Sequence, residues 1–134
     1  DLGCGCGIVG AAAARWGGRV VCVDSSAAAL CAARMTLELN QVTAQVLASD
    51  CASAVREMHF DVVAANPPFH QGLGVEFKVA RQFVRDAAHV LAPGGRLYLV
   101  SNRFIRYEQV MEGLFAHVQT VYEDNRFRVM EAVR

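Results

Sequence analysis

The sequence lacks long hydrophobic runs and any export signal. No apolar stretch in its 134 residues approaches the ~20 residues that a helix needs to cross a bilayer. The N-terminus has no basic segment followed by an apolar one, so a secretory leader is not indicated. These features predict a soluble, cytoplasmic protein with no membrane partner.

The chain also carries no net charge at neutral pH. Thirteen basic and thirteen acidic residues cancel to a formal charge of zero. Proteins that bind nucleic acid usually carry a basic face that neutralises phosphates. A neutral chain can hold a single base but grips RNA weakly by itself. For a nucleic-acid substrate, we expect the grip to come from elsewhere in a longer protein.

The five cysteines do not form a recognisable framework. Their odd number and their crowding into the first half of an apolar-rich chain argue against structural disulfides. Cys4-x-Cys6 is not followed by a second pair or by histidines at ligand spacing, so no metal site is predicted. We expect reduced cysteines that are buried or lie in loops.

With 54% apolar residues, the chain can build one domain over residues 1–134, and strands alternate with helices along it. The apolar runs predict strands at Arg19–Val23, Ala44–Ala48, Phe60–Ala65, Arg96–Val100, His117–Tyr122 and Phe127–Val133. The periodic segments predict helices at Ile8–Trp16, from Ser25 or Ser26 to about Leu39, from Phe77 to a stop at Pro93–Gly95, and at Glu108–Phe115.

This order predicts an α/β fold: a doubly wound, mostly parallel sheet with helices on both faces and an antiparallel strand at its end. Asp1 stands where the first strand of such a sheet should just have ended. We therefore expect this first strand, which is central in such folds, to be missing from the fragment.

The chain opens with a glycine-rich turn, DLGCGCG, ahead of the first helix. Gly5-x-Gly7-x-x-Gly10 fits a dinucleotide-binding pattern, with Asp24 19 residues after Gly5 to accept from a ribose. The turn also fits S-adenosylmethionine binding, in which an acidic residue precedes glycines at alternate positions, here Asp1, Gly3, Gly5 and Gly7. A tight turn that binds nothing is the third possibility.

Acidic residues follow the second and third strands. Asp24 is placed to accept from ribose hydroxyls, although Asp24, Ser25 and Ser26 all qualify as helix N-caps as well. Asp50 follows the third strand, where its carboxylate can accept from an adenine amino group. A solvated turn explains Asp50 equally well.

Asn66-Pro67-Pro68-Phe69 follows the fourth strand, at the edge where such sheets bind ligands. The prolines fix the backbone and leave carbonyl oxygens free. The Asn66 side-chain oxygen and the Pro67 carbonyl can then accept from one NH2 group, while Phe69 offers a face for an unstacked base. This motif favours methylation of an amine. The alternative is a rigid loop that ends the strand and has no role in binding or catalysis.

Taken in order, DLGCGCG, VDSS, the Asp50 loop and NPPF resemble a Rossmann-like class I methyltransferase that acts on amines. NPPFHQG, APGGRLYLVSNRFIRYE and NRFRVMEAV resemble the bacterial ribosomal RNA guanine-N2 methyltransferases, with the small subunit favoured. The resemblance implies S-adenosylmethionine as cofactor, and ribosomal RNA or a ribosomal subunit as partner. It also implies an additional N-terminal domain for RNA recognition in the full-length protein.

The resemblance also implies roles for individual residues. The donor-binding set is Asp1, Gly3, Gly5, Gly7, Asp24, Ser25, Asp50 and Asn66. The catalytic set is Asn66, Pro67 and Phe69. The substrate-binding set is Pro68, His70, Asn102 and Arg103, with Gln71 shaping the same loop.

Other functions stay open at this point. Adenine-N6 or cytosine-N4 methylation of DNA and glutamine methylation of a release factor use the same motif. A nicotinamide-dependent oxidoreductase would use the Gly10 pattern but gives NPPF no role. A non-catalytic donor-binding module is a further class, against which the intact Asn66 argues.

Overall fold

The computed structural model describes residues 1–67 and 75–134. The chain divides into two compact units, Asp1–Val55 and Arg56–Arg134. Within the described ranges, no helix is long and apolar enough to span a membrane.

The first unit holds a parallel pair of strands and two helices. Its elements are α1 (Ile8–Arg15), β1 (Val21–Asp24), α2 (Ala27–Leu39), β2 (Gln45–Ala48) and a 3-10 turn at Ser53–Val55. Val21 lies opposite Gln45 and Asp24 opposite Ala48, so β1 and β2 end at the same edge. Leu2 forms one parallel bridge with Val23. The small buried side chains of Cys4, Cys22 and Ala33 form a core cluster, which lets the helices lie close to the strands.

The second unit holds a four-stranded mixed sheet. Its elements are β3 (Phe60–Ala65), α3 (Val75–Val90), β4 (Leu91–Asn102), α4 (Glu108–Met111), β5 (His117–Glu123) and β6 (Phe127–Val133). The strand order is β3-β4-β6-β5. β3 and β4 are parallel, and β6 is antiparallel to both of its neighbours. The expected antiparallel closure is therefore confirmed.

The predicted boundary between α3 and β4 was wrong. The helix ends at Val90 rather than at the proline, and the strand begins at Leu91 rather than at Arg96. Phe60 lies opposite Leu91 and Val62 opposite Arg96, so an irregular loop of β4 containing Pro93–Gly95 faces a single residue of β3. The strand tolerates the proline because this bulge needs no donor there.

The second correction concerns α4, which ends at Met111 instead of continuing to Phe115. Glu112 has an extended backbone (φ −53°, ψ 131°), and Gly113 follows with φ +75°. These two conformations end the helix, as a left-handed glycine commonly does. Elsewhere the helices and strands differ from the predicted bounds by at most two residues, and β3 and β6 match them.

Candidate active site

The glycine turn takes a conformation that explains its alternating sequence. Gly3, Gly5 and Gly7 have φ values of 70°, 52° and 75°, a backbone region that side chains rarely adopt. A Cβ at Gly5 would meet nothing within 4 Å, whereas a Cβ at Gly7 would lie 2.8 Å from that of Ala33. Gly7 therefore allows close packing on α2, and the space beside Gly5 is open to a ligand.

Asp24 ties this turn to the start of α2. Its Oδ2 accepts from the Gly5 amide and its Oδ1 from the Ser26 amide, each at 2.9 Å. The helix N-cap is Ser26, whose hydroxyl accepts from the Ala29 amide at 3.3 Å. Ser25 lies exposed between them. Asp24 is thus fixed at the carboxyl end of β1, and each of its oxygens keeps a lone pair for a further donor.

Asp1 and Gly10 have structural roles. The sequence motif alone could not distinguish these roles from ligand binding. The Asp1 Oδ2 accepts from the Gly10 amide at 2.9 Å. A Cβ at Gly10 would lie only 2.4 Å from the Cys22 Sγ. Gly10 is therefore required for contact between α1 and β1, and its presence needs no dinucleotide.

The buried cysteines, Cys4 and Cys22, are packing residues. All five cysteines are free, with Cys4 and Cys22 buried. Burial raises the pKa of Cys4 to about 11 and also raises the pKa of Cys22. Because only the thiolate is an effective nucleophile, burial and a raised pKa favour a packing role for both side chains. In residues 1–67 and 75–134, no group of three or more His, Cys, Asp or Glu side chains could hold a metal ion.

Asp50 lies at the same edge of the first unit as Asp24. The Ser49 amide donates to the Asp24 carbonyl at 3.0 Å, which joins the ends of the two strands. The buried Ser49 hydroxyl donates to the Cys51 carbonyl at 2.7 Å and accepts from the Ala54 amide at 3.0 Å. These bonds shape the loop that leaves the Asp50 side chain exposed.

In the second unit, Asn66 and Pro67 leave β3 at its carboxyl end. Asn66 is exposed, and Pro67 is fully buried. A buried proline ring fixes the backbone on one side of Asn66, while the strand fixes it on the other. Pro68, Phe69, His70 and Gln71, which were also predicted to form this site, lie outside the described residues.

Asn102 and Arg103 leave the neighbouring strand, β4, at the same edge. Asn102 organises a turn: its Oδ1 accepts from the Phe104 amide at 3.2 Å, and its carbonyl accepts from the Ile105 amide at 3.0 Å. Arg103 forms an ion pair with Glu123, with 2.9 Å between Nε and Oε1, and its side chain is 48% exposed. Part of its charge is therefore already neutralised.

Ser101 is a residue of this edge that the sequence did not single out. β3 and β4 are parallel with Ala65 opposite Leu99, so Ser101 lies on β4 two residues past the point where β3 ends. Ser101 is fully buried, and its hydroxyl has no hydrogen-bond partner in the part of the chain that the structure describes. A serine inside an apolar strand is a weak sequence signal, because such side chains usually satisfy themselves locally.

Glu131 is a second residue that the sequence did not single out, and its role is structural. It is buried on β6 and accepts from Arg96 at 2.9 Å, Tyr98 at 2.6 Å and Gln119 at 2.8 Å. These hydrogen bonds, that of Tyr98 foremost, lower the pKa of Glu131 to about 2. The carboxylate thus links β4, β5 and β6 as an anion.

The alternating strands and helices, the antiparallel final strand and the glycine turn define the Rossmann-like class I methyltransferase fold that the sequence predicted. Residues 1–131 match the family model described as the methyltransferase small domain, and the chain belongs to this family. The resemblance found in the motifs is confirmed.

Individual relatives agree with this assignment. Ribosomal RNA small subunit methyltransferase C of Hahella chejuensis is 42% identical over 136 residues, and that of Chromohalobacter salexigens is 39% identical over 134 residues. Each alignment covers 100% of this chain and 40% of the relative. The chain thus spans about 40% of the length of the curated relatives it matches.

Solved structures give the same result. A 16S rRNA N2 methyltransferase from T. thermophilus, in complex with AdoMet and guanosine, is 40% identical, with a TM-score of 0.92. The match covers 100% of this chain and 36% of that one. A methyltransferase from Pyrococcus furiosus shares the fold at 17% identity, with a TM-score of 0.78, covering 98% of this chain and 72% of the other.

Proposed function

We propose that the protein containing this chain transfers a methyl group from S-adenosylmethionine to the exocyclic N2 amine of a guanine in small-subunit ribosomal RNA. The observation that carries the proposal is the exposed Asn66, held at the carboxyl end of β3 by a fully buried Pro67. The likeness to relatives named as small-subunit RNA methyltransferases, one of them solved with AdoMet and guanosine, supports the substrate.

The first unit fits the methyl donor. The open space beside Gly5 leaves room for a ligand against the backbone of the turn. Asp24 keeps lone pairs for two ribose hydroxyls, while its bonds to Gly5 and Ser26 prevent it from turning away. Ser25 and the exposed Asp50 would contact the ribose and the adenine amino group. Asp1 would act through Gly10, by holding the turn in shape.

The second unit supplies the groups for the amine. When bound, the donor would supply a methyl carbon on a sulfonium. In-line attack by the amine nitrogen would form the N–C bond as the C–S bond breaks, with S-adenosylhomocysteine as the leaving group and one proton lost from the nitrogen. The Asn66 Oδ1 and the Pro67 carbonyl accept the two hydrogens of the guanine NH2 and so orient its lone pair. Accepting bonds also stabilise the positive charge that develops on nitrogen, and orientation supplies much of the acceleration. Phe69 would support the base, and Pro68 and His70 would contribute further contacts to it.

The net charge of this chain is too low to bind RNA tightly through its phosphates. With thirteen basic and thirteen acidic residues, the chain attracts phosphates weakly. The curated relatives are longer than this chain. We therefore include in the proposal a further domain that binds RNA, with Asn102 and Arg103 contributing contacts at the edge of the sheet, in a cytoplasmic enzyme.

The test is methyl transfer from labelled S-adenosylmethionine by the intact protein, with four acceptors offered in parallel: small ribosomal subunits or their RNA, large subunits, DNA and a release factor. We expect label in small-subunit RNA, recovered as N2-methylguanine after nuclease digestion. Label found only in DNA or only in protein would overturn the proposal in favour of the corresponding amine methyltransferase.

A further inference from the structure

An exposed aromatic ring stands directly after β4. Phe104 is 83% exposed, in a turn held by the bond from its amide to the Asn102 Oδ1. A single exposed apolar side chain is common and needs no explanation. This one lies two residues beyond the end of β4, beside a second turn that also carries an aromatic residue.

The second turn joins β5 to β6. The Asp124 Oδ1 accepts from the amides of Arg126 and Phe127, each at 2.7 Å. These bonds hold the turn and lower the pKa of Asp124, so the carboxylate is engaged by the backbone. Phe127 is 38% exposed, and the Arg126 guanidinium lies 5.4 Å from the centroid of its ring. The guanidinium and the ring thus form a cation–π pair at the surface.

The two turns are joined by backbone pairing. Asn102 lies opposite Phe127, and the Arg103 amide donates to the Arg126 carbonyl at 3.0 Å. Phe104 and the Arg126–Phe127 pair therefore lie at the same end of the sheet. We call Phe104, Arg126 and Phe127 the rim cluster.

Arg103 and Arg128, which lie close to the two turns, are engaged in ion pairs with glutamates. Glu123 pairs with Arg103 at 2.9 Å and with Arg128 at 3.0 Å, and Arg128 also pairs with Glu108. Within residues 1–67 and 75–134, no ion pair is formed by Arg126. One face of its guanidinium lies over Phe127 and its charge helps to lower the pKa of Asp124, so the opposite face is the one offered to an anionic, planar partner.

We propose that the rim cluster is a stacking surface for unpaired RNA nucleotides that flank the target guanine. The inference rests on the proposed function, because the rim cluster lies at the edge from which Asn66 emerges. Ala65 is opposite Leu99, and Asn102 follows three residues later, so the turn begins about 10 Å further along, at ~3.3 Å per residue. Unpaired bases stack on aromatic rings and on guanidinium planes, and the rim cluster offers both beside the edge proposed to hold the target base.

The test is binding of a short labelled single-stranded RNA to the intact protein, followed by fluorescence anisotropy over a salt series. Phe104→Ala should weaken binding about 10-fold, within the range for one lost base–aromatic stack. Arg126→Ala should weaken binding and reduce the slope of log K against log salt by about 0.7, the value for one lost contact with a single-strand phosphate. The control is the double variant Arg15→Ala, Trp16→Ala, which removes an exposed arginine and an exposed aromatic from the first unit.

Methyl transfer separates the two hypotheses. Phe104→Ala should raise KM for small-subunit RNA while leaving the affinity for S-adenosylmethionine unchanged. RNA affinity and KM that stay at wild-type values in the Phe104 and Arg126 variants would overturn the rim cluster, even if the wild type methylates RNA. Equal weakening by the control variant would do the same. Absence of RNA methylation by the wild type would instead refute the proposed function.

Discussion

Gly10→Ala tests whether this glycine is required by packing or by a ligand. The added Cβ would lie 2.4 Å from the Cys22 Sγ, 3.3 Å from the Asp1 Oδ2 and 3.4 Å from a methyl of Val20. Overpacking of this kind costs about 1–3 kcal/mol, and the enclosed position places Gly10 in the upper part of that range. Alanine regains about 1 kcal/mol of helix propensity. We therefore expect a net loss of about 1–2 kcal/mol.

The same substitution should behave differently once the sulfur is removed. In a Cys22→Ala background the space occupied by Sγ is free, so Gly10→Ala should be neutral or stabilise by up to about 1 kcal/mol through helix propensity. Hydrogen exchange along a urea series, read on peptides that cover residues 8–24, reports the stability of this segment within the intact protein. An equal loss in both backgrounds, or no loss in the wild-type background, would refute the packing explanation.

Three further outcomes follow from the site and the core. Asp24→Ala should weaken S-adenosylmethionine binding at least 10-fold, because the turn loses its anchor, and calorimetric titration that finds unchanged affinity would reject this role. Glu131→Gln should flatten the acid limb of stability: a folded pKa of about 2, against 4.5 unfolded, contributes stability above pH 4.5 that is lost as the pH falls towards 2. Under native conditions at pH 8, mass spectrometry should find that the exposed Cys6 is alkylated well before Cys4, whose pKa is about 11.

Much of the fold could be predicted because the apolar runs are short and sharply bounded. β3 is flanked by polar residues, and its bounds match the prediction. The end of α3 could not be predicted from local signals. Proline and glycine normally stop a helix and a strand alike, and only pairing with Phe60 draws Leu91 into the sheet ahead of Pro93. Local sequence does not contain that long-range contact.

In the site, too, local sequence predicted some features, while others depend on long-range contacts. The alternation of glycines at Gly3, Gly5 and Gly7 predicted a tight turn, and the structure gives all three a left-handed backbone. The distinction between a glycine that faces open space and one that faces a helix depends on residues about 25 positions away, such as Ala33 beneath Gly7. The ion pair that engages Arg103 is likewise set by strand pairing and not by the motif.

The central claim is that Asn66 holds the guanine amine, and Asn66→Ala tests it most directly. Single-turnover methyl transfer to small-subunit RNA, measured beside the affinity for S-adenosylmethionine, separates orientation of the amine from binding of the donor. We expect the transfer rate to fall at least 100-fold, as for other losses of orientation at a reacting centre, with donor affinity within a few-fold of the wild type. Transfer at the wild-type rate would contradict the account.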